Sequence, residues 1–451
     1  MKKKLLYAGL VTLLGTYVFT GAQLYRATAA DAKDDPYVQL ELFSRVLERV
    51  RRDYVDGDKV TYSNLISSAL KGMLDSLDPH SEFMVPVKYN ELKEDTQGSF
   101  SGVGLQVGVR DGTLTVVAPM EDTPAFKAGI LSGDQIVKID GQSTERFSMN
   151  DAVSRLRGEE GTKVTITITR GGGDPRDLEL TRAEIKLFTA KDVNNQREFP
   201  LADNKVGYLR LTQFGENTAD ELEDGLKKLE AQGMEALVLD LRGNPGGLLD
   251  QAVAVSEKFL KAGKPIVSTE GRVPGGDLQR RSSGAGKKRT SLPIAILVNG
   301  GSASAAEIVS GALQDLKRAM VIGETTFGKG SVQSILPLPD GSALRLTTAK
   351  YYTPSHRVIH EHGIKPDIIV PLDEDEEAAI QLRRQPGGVA SLEDTLKVFP
   401  ADRRERLREL VTNGRDAQLE RAVDYLRGQN LFGKRKETKA GDTNAPAPAL
   451  N

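Results

Sequence analysis

The sequence predicts a multidomain α/β protein, α+β in its outer parts, and three observations carry that class. Residues 36–95 and the residues after 376 place apolar side chains at helical spacing. Residues 97–185 break into short strands between turn glycines. Residues 186–375 alternate buried-type strands with amphipathic helices, the pattern of an α/β core.

The elements follow in order. Leu40, Phe43, Val46, Leu47 and Val50 form one helical stripe, and Leu65, Ile66, Ala69, Leu70, Met73, Leu74 and Leu77 form a second. Asp78-Pro79-His80-Ser81 ends it, because proline cannot continue a helix. Leu105–Val109, Leu114–Val117, Ile136–Ile139 and Val164–Ile168 read as strands; Pro124–Ala128 and Met149–Leu156 read as short helices. Ala236–Leu241, apolar except for Asp240, and Ile294–Val298 are buried-type strands suited to the centre of a sheet. The first runs into Arg242-Gly243-Asn244-Pro245-Gly246-Gly247 and the second into Gly300-Gly301-Ser302-Ala303-Ser304. A helix follows each. Arg272–Ser291 is polar, glycine-rich and basic, and reads as a mobile loop. Residues 376–433 are helical and charged, and 434–451 form a polar tail expected to be disordered.

The N-terminus bears on compartment. Lys2-Lys3-Lys4 precedes the uncharged stretch Leu5–Tyr25, followed by Ala27-Thr28-Ala29 and then Asp31, Asp34 and Asp35. Residues 1–30 therefore read as a cleavable signal peptide. The stretch 5–25 is also long enough to stay as an anchor in the cytoplasmic membrane. Either reading exports the rest of the chain, to a periplasmic or other extracytoplasmic space.

The 451-residue chain has no cysteine, which excludes disulfides, thiolate catalysis and Cys-ligated zinc. A net charge of −2 gives no general drive toward nucleic acid. The four histidines, His80, His356, His360 and His362, offer no obvious partner to a nucleophilic serine. A lysine can do that work when it is neutral. Ser304 opens a helix after a buried strand, and Lys329 lies between Gly328 and Gly330 in a second small-residue turn. That pairing points to a Ser–Lys hydrolase that needs no metal or organic cofactor. Gln333 can orient the lysine, and the amides of Gly246 or Gly247 together with Ala305 can form an oxyanion hole. Each feature has a plainer reading beside it: a helix cap, a surface lysine in a turn, a strand-to-helix connection. His360 and His362, placed on one face of a strand, read as structural or surface residues.

Taken together, these segments resemble the carboxyl-terminal processing (tail-specific) proteases of the S41 peptidase class. The resemblance rests on Gly102–Leu105, Asp240–Gly247, Gly301–Glu307, Phe327–Gln333, Tyr351–Pro354 and Gly363–Asp367, and runs from about residue 38 to 371. His356 departs from the pattern, which more often has glycine there. The resemblance implies a crotonase/ClpP-like protease core with an inserted PDZ domain at 97–185 and flanking helical segments. It makes Ser304, rather than Ser302, the nucleophile, Lys329 the general base and Gln333 its orienting partner. It places the oxyanion hole at Gly246 or Gly247 and Ala305. In the PDZ-like segment, the loop Gly102-Val103-Gly104-Leu105 can offer amides to a substrate's C-terminal carboxylate. Arg157, at the end of a helix there, is a candidate gating residue. The partners expected are proteins or peptides with free C-termini, an adaptor protein, and a second copy of the chain held through the flanking helices. The alternative is a catalytically silent PDZ scaffold that binds protein C-termini; a serine esterase is a third reading.

Overall fold

A computed structural model describes residues 35–442 apart from 111, 121, 122, 132, 172, 203, 274–276, 385–391, 397 and 398. The expected signal or anchor segment, residues 1–30, and residues 443–451 of the expected tail lie outside the described residues. No helix among the described residues is long and apolar enough to cross a membrane. The chain divides into two compact units, one ending at Val85 and one beginning at Pro86.

The first unit carries helices α1 (Pro36–Asp53) and α2 (Tyr62–Asp75). Proline opens α1, where its missing N–H costs nothing, and Asp35 caps it by accepting from the Tyr37 N–H at 2.9 Å. No residue of α1 is buried, although its apolar stripe is the one the sequence displays. Thr61 caps α2, accepting from the Asn64 N–H.

The second unit opens with α3 (Pro86–Gln97), which leads into strand β1 (Ser99–Gly102). Strands β2 (Leu105–Arg110), β3 (Thr113–Pro119), β4 (Gln135–Ile139), β5 (Lys163–Thr169) and β6 (Arg176–Thr181) then form one sheet in that order. Helix α4 (Met149–Leu156) packs on it, with Leu156, Val116, Ile136, Ile139 and Ile166 in a common core. The chain leaves through β7 (Ala183–Lys186), paired antiparallel with β1 from Ser99 opposite Lys186 to Gly102 opposite Ala183. Entry and exit of this lobe therefore lie side by side.

The core sheet follows: β8 (Ala190–Lys191), β9 (Val206–Leu211), β10 (Ala236–Asp240), β11 (Ile294–Val298), β12 (Met320–Gly323) and β13 (Ile368–Ile369), in that order. All its pairings are parallel except β8 with β9. Every residue of β10 and β11 is buried: the apolar residues as their runs predict, and Asp240 at the end of β10 with them. One face is covered by α5 (Thr218–Ala231), α6 (Leu249–Glu257) and α7 (Ala305–Asp315), whose Leu222, Leu226, Val255 and Val309 join the main core. The other face receives α8 (Ala417–Asp442), through Ala422 and Leu426 against Val238, Ala295 and Ile322. Helix α8 runs past Lys434, where a disordered tail is expected; Lys, Arg, Glu and Ala after that point are good helix formers.

The segment Arg272–Ser291 differs from the mobile loop expected. Thr269 and Ser268 pair with Leu278 and Gln279 in a hairpin. Beyond it, the Arg289 side chain is 3 % exposed and donates to both Glu223 and Glu230 of α5. The basic run is neutralised by acidic side chains far away in sequence, which composition alone does not reveal. His360 and His362 also differ: they lie on a turn, not a strand, closed by the Gly363 and His362 N–H groups donating to the Ile359 carbonyl.

Candidate active site

The C-terminal ends of β10 and β11 lie side by side, with Asp240 opposite Leu297, so the turns that follow them are neighbours. Crevices at the carboxyl ends of parallel strands are where α/β sheets bind ligands. The Ala303 N–H donates to the Asn244 carbonyl at 2.9 Å and joins the two turns directly. Gly246 presses against the serine turn so closely that a Cβ there would lie 2.7 Å from Ser304 Cβ and 2.8 Å from the Ala303 carbonyl oxygen.

Ser304 stands at the N-cap position of α7 with φ 52° and ψ −112°, a sparsely populated conformation for a residue with a side chain. Strain of this kind costs on the order of 1–3 kcal/mol and persists only where surrounding contacts impose it. The cap itself is supplied by Glu307, whose Oε2 accepts from the Ser304 N–H at 2.8 Å. Ser304 and Glu307 form a capping box, with the serine side chain facing the Glu307 backbone N–H. Ser302 is different: its Oγ donates to the Leu241 carbonyl at 2.8 Å and accepts from the Asn299 N–H, so this hydroxyl is consumed in holding the turn.

The lysine turn joins β12 to the next strand, Ser331–Pro337. The Phe327 N–H donates to the Ser302 carbonyl at 3.0 Å, and the Glu361 N–H to the Gly328 carbonyl at 2.8 Å. The glycines flanking Lys329 are a packing requirement: a Cβ on Gly330 would lie 2.2 Å from the His360 nitrogen. Lys329 is half-buried, and no hydrogen bond or ion pair to its Nζ occurs among the described residues. Burial lowers its pKa from the ordinary lysine value, the Arg345 guanidinium lowers it further, and Glu307 acts in the opposite direction.

Glu307 is the residue that ties the two turns. It is completely buried. Oε2 accepts from the Ser304 and Lys329 N–H groups, at 2.8 and 2.9 Å, and Oε1 from the Gly328 N–H and Thr326 Oγ1, at 2.7 and 2.5 Å. Burial raises its pKa, against the pull of those four donors. Sequence reasoning passed over it, although Ser304-x-x-Glu307 has the spacing of a helix-start pair and could have signalled it.

Gln333 donates from Nε2 to Ser331 Oγ at 2.8 Å and to Thr347 Oγ1 at 3.3 Å. Its amide thus meets Lys329's neighbouring strand rather than the lysine itself among the described contacts. The Gly246 N–H donates to Asn244 Oδ1 at 2.9 Å. The Gly247 and Ala305 N–H groups donate to no acceptor among the described hydrogen bonds.

In the first lobe of this unit, Val103 is buried and its carbonyl accepts from the Ala125 N–H; the Gly104 carbonyl accepts from the Met120 N–H. Gly102 ends β1 and Leu105 begins β2. The Val103 and Gly104 amides have no acceptor among the described hydrogen bonds. Arg157 follows α4, donates to Glu94 Oε2 of α3 at 2.9 Å and lies over the Phe100 ring at 4.7 Å. It links the lobe to the helix that leads into it.

Residues 205–370 match the model of peptidase family S41, and residues 115–170 match that of the PDZ domain. The carboxy-terminal-processing protease of Bartonella bacilliformis is 45 % identical over 370 residues, which are 79 % of this chain and 82 % of that one. The chain belongs to peptidase family S41. Within it, the chain groups with the carboxy-terminal processing proteases, which makes it a serine peptidase carrying a PDZ domain. The carboxy-terminal processing protease CtpA of Bacillus subtilis is 36 % identical over 365 residues, 81 % of this chain and 75 % of that one. Among solved structures, the photosystem II D1 C-terminal processing protease aligns with a TM-score of 0.40 and 30 % identity, over 77 % of this S41 chain and 97 % of its own.

Proposed function

We propose that this S41 peptidase cuts polypeptides with a Ser304–Lys329 dyad and selects them by their free C-termini. The observation that carries the reading is the shared Glu307 oxygen, which accepts from both the Ser304 and the Lys329 backbone N–H. One carboxylate fixes nucleophile turn and base turn together, with the serine in a strained conformation and the lysine side chain without an ion pair among the described residues. Neutral Lys329 takes the Ser304 proton as Oγ attacks the scissile carbonyl. The protonated lysine returns that proton to the departing amine, leaving an acyl-enzyme. Water, deprotonated by the same lysine, releases the acyl group. Gly247 and Ala305 are the oxyanion donors in this scheme, since the Gly246 N–H is already engaged by Asn244. Gln333 shapes the lysine strand through Ser331.

The PDZ domain, residues 97–185, takes the substrate tail, with the Val103 and Gly104 amides receiving the carboxylate between Gly102 and Leu105. Arg157, paired with Glu94 of α3, is the candidate gating residue, which would meet the core when the domain moves. Residues 186–375 form the protease core. The lysine-flanked apolar stretch 5–25 supports action outside the cytoplasmic membrane, on exported proteins. The exposed stripe of α1 supports a homodimer.

Cleavage of a tailed peptide tests the assignment. Ser304→Ala and Lys329→Ala should each lower kcat by at least ~1,000-fold while the protein stays folded, and the double variant should be no worse than either single one. Cleavage at the wild-type rate by the Lys329 variant rules out the dyad. Tail binding without any cleavage by the wild type points to the silent scaffold instead.

A further inference from the structure

The turn proposed to form the oxyanion hole is glycine-rich, and its own side-chain anchor is Asn244, which accepts from the Gly246 N–H and donates to the Leu211 carbonyl. Gly243, Gly246 and Gly247 all have positive φ, at 67°, 100° and 142°, and carry no side chain. Glycine permits this path but leaves it conformationally loose. Oxyanion donors work only when they are preorganised, so such a turn gains from further rigidity supplied at its start.

It comes from the C-terminal helices. Arg242, the first residue of the turn, is 3 % exposed. Its Nη1 donates to Asp416 Oδ1 at 3.0 Å and to Gln418 Oε1 at 3.1 Å; Nη2 donates to Asp416 Oδ2 at 2.8 Å and to Asp240 Oδ2 at 2.7 Å. Nε and the backbone N–H complete the grip on Asp240. Every direction of the planar guanidinium is taken, which fixes its plane as well as its position. Asp240 is locked in turn by the Tyr208 hydroxyl at 2.6 Å and by Arg384 of helix α9 (Glu374–Arg384) at 2.7 Å. Asp416 also caps α8, accepting from the Leu419 N–H, and Gln418 donates to the Val370 carbonyl.

A second contact arrives independently. Glu377 of α9 accepts from Asn299 Nδ2 at 3.0 Å. Asn299 Oδ1 then accepts from the Gly243 N–H at 2.8 Å and the Gly301 N–H at 3.1 Å, one in each catalytic turn. The Ala303-to-Asn244 bond carries the same constraint on to Ser304.

We infer that Asp416 and Gln418 are positioning residues for proteolysis, holding Arg242 so that the following glycine turn keeps its amides aimed at the oxyanion. Helices α8 and α9 act on chemistry at a site they do not themselves line. The inference rests on the Ser304–Lys329 reading with Gly247 and Ala305 as donors. A buried ion pair that served only for bulk stability would be weakly favourable at best. This one is placed at the start of the turn that carries a proposed oxyanion donor.

The test uses the full chain with Asp416→Asn, Asp416→Glu and Gln418→Ala. Active sites are counted by end-point labelling with a fluorophosphonate, and the labelled residue is identified by mass spectrometry. The expected result for Asp416→Asn is a kcat per labelled site ~10–100-fold below wild type with KM within about twofold, and a matching slowing of the labelling rate. Asp416→Glu, which keeps the charge, should recover part of the loss. Should Asp416→Asn fail to fold, Gln418→Ala removes one acceptor only and carries the same test at about a tenfold loss. A wild-type kcat per labelled site, with only a lower Tm or fewer labelled sites, overturns the inference; so does a rise in KM in place of the fall in kcat. Failure of the underlying reading looks different: wild-type protein not labelled at Ser304, or Ser304→Ala that still cleaves.

Discussion

At Lys329 a small set of opposing effects decides the chemistry. A lysine is a base only when deprotonated, and burial makes the charged form costly. Arg345 adds repulsion, while Glu307 stabilises the cation from beneath the turn. The net direction is downward, so the neutral fraction at any given pH exceeds that of an exposed lysine. The rate kcat/KM should therefore rise with pH and level off, with its midpoint below the ordinary lysine value of 10.5. Arg345→Gln removes one of the two lowering influences. Its midpoint should move to higher pH, the alkaline plateau staying near wild type. A midpoint that does not move, or moves down, removes Arg345 from the account. The same residues show what could be read beforehand. Ser304 and Lys329 are legible because small residues crowd around them in turns. Glu307 is harder to read, because a carboxylate that binds backbone amides leaves no trace in residue type beyond its spacing.

Elements were legible where burial is continuous and illegible where charge crosses the fold. Strands β10 and β11 stand out as apolar runs ended by glycine turns, and they are buried throughout. Arg289 and Glu223 are 66 positions apart, and Arg242 and Asp416 are 174 apart. No periodicity connects such pairs, so the basic segment before Arg289 looked like a solvated loop. Its anchoring has a pH signature. Arg289 beside Glu223 holds that carboxyl at about 2, against an ordinary 4.5. Between those values the unfolded chain binds the proton and the folded one does not, so stability rises with pH through this window. The contribution is complete above about 4.5 and is lost as pH falls toward 2. Arg289→Met should lower the Tm at pH 7 and flatten the acid limb of stability against pH between these two values. If the variant's acid limb stays parallel to wild type, the pair is not what fixes the segment.

For the whole molecule, the flanking helices divide their labour. Both were expected to serve assembly, since both carry apolar stripes. The C-terminal helix α8 instead spends its stripe on the core sheet, where Ala422 and Leu426 are fully buried, and its start on Arg242. That leaves α1, in the other unit, as the face available to a second copy. Its Leu40, Phe43 and Val46 are 60, 42 and 53 % exposed, along one stripe of an 18-residue helix. A row of large apolar side chains on a stable helix is costly to leave in water, at roughly 25 cal/mol per Å² of apolar surface. Two such helices laid together would bury both stripes in one self-complementary contact, as two-fold symmetry requires. Protein lacking residues 1–34 should therefore scatter light as a dimer at micromolar concentration. Leu40→Ser, Phe43→Ser and Val46→Ser combined should give a monomer whose kcat on a short peptide stays within about twofold of wild type, because α1 holds none of the chemistry. A wild-type monomer at that concentration ends the dimer proposal. A monomeric variant with kcat collapsed shows that the second copy helps to build the site, which would return the flanking helices at both ends to a single role.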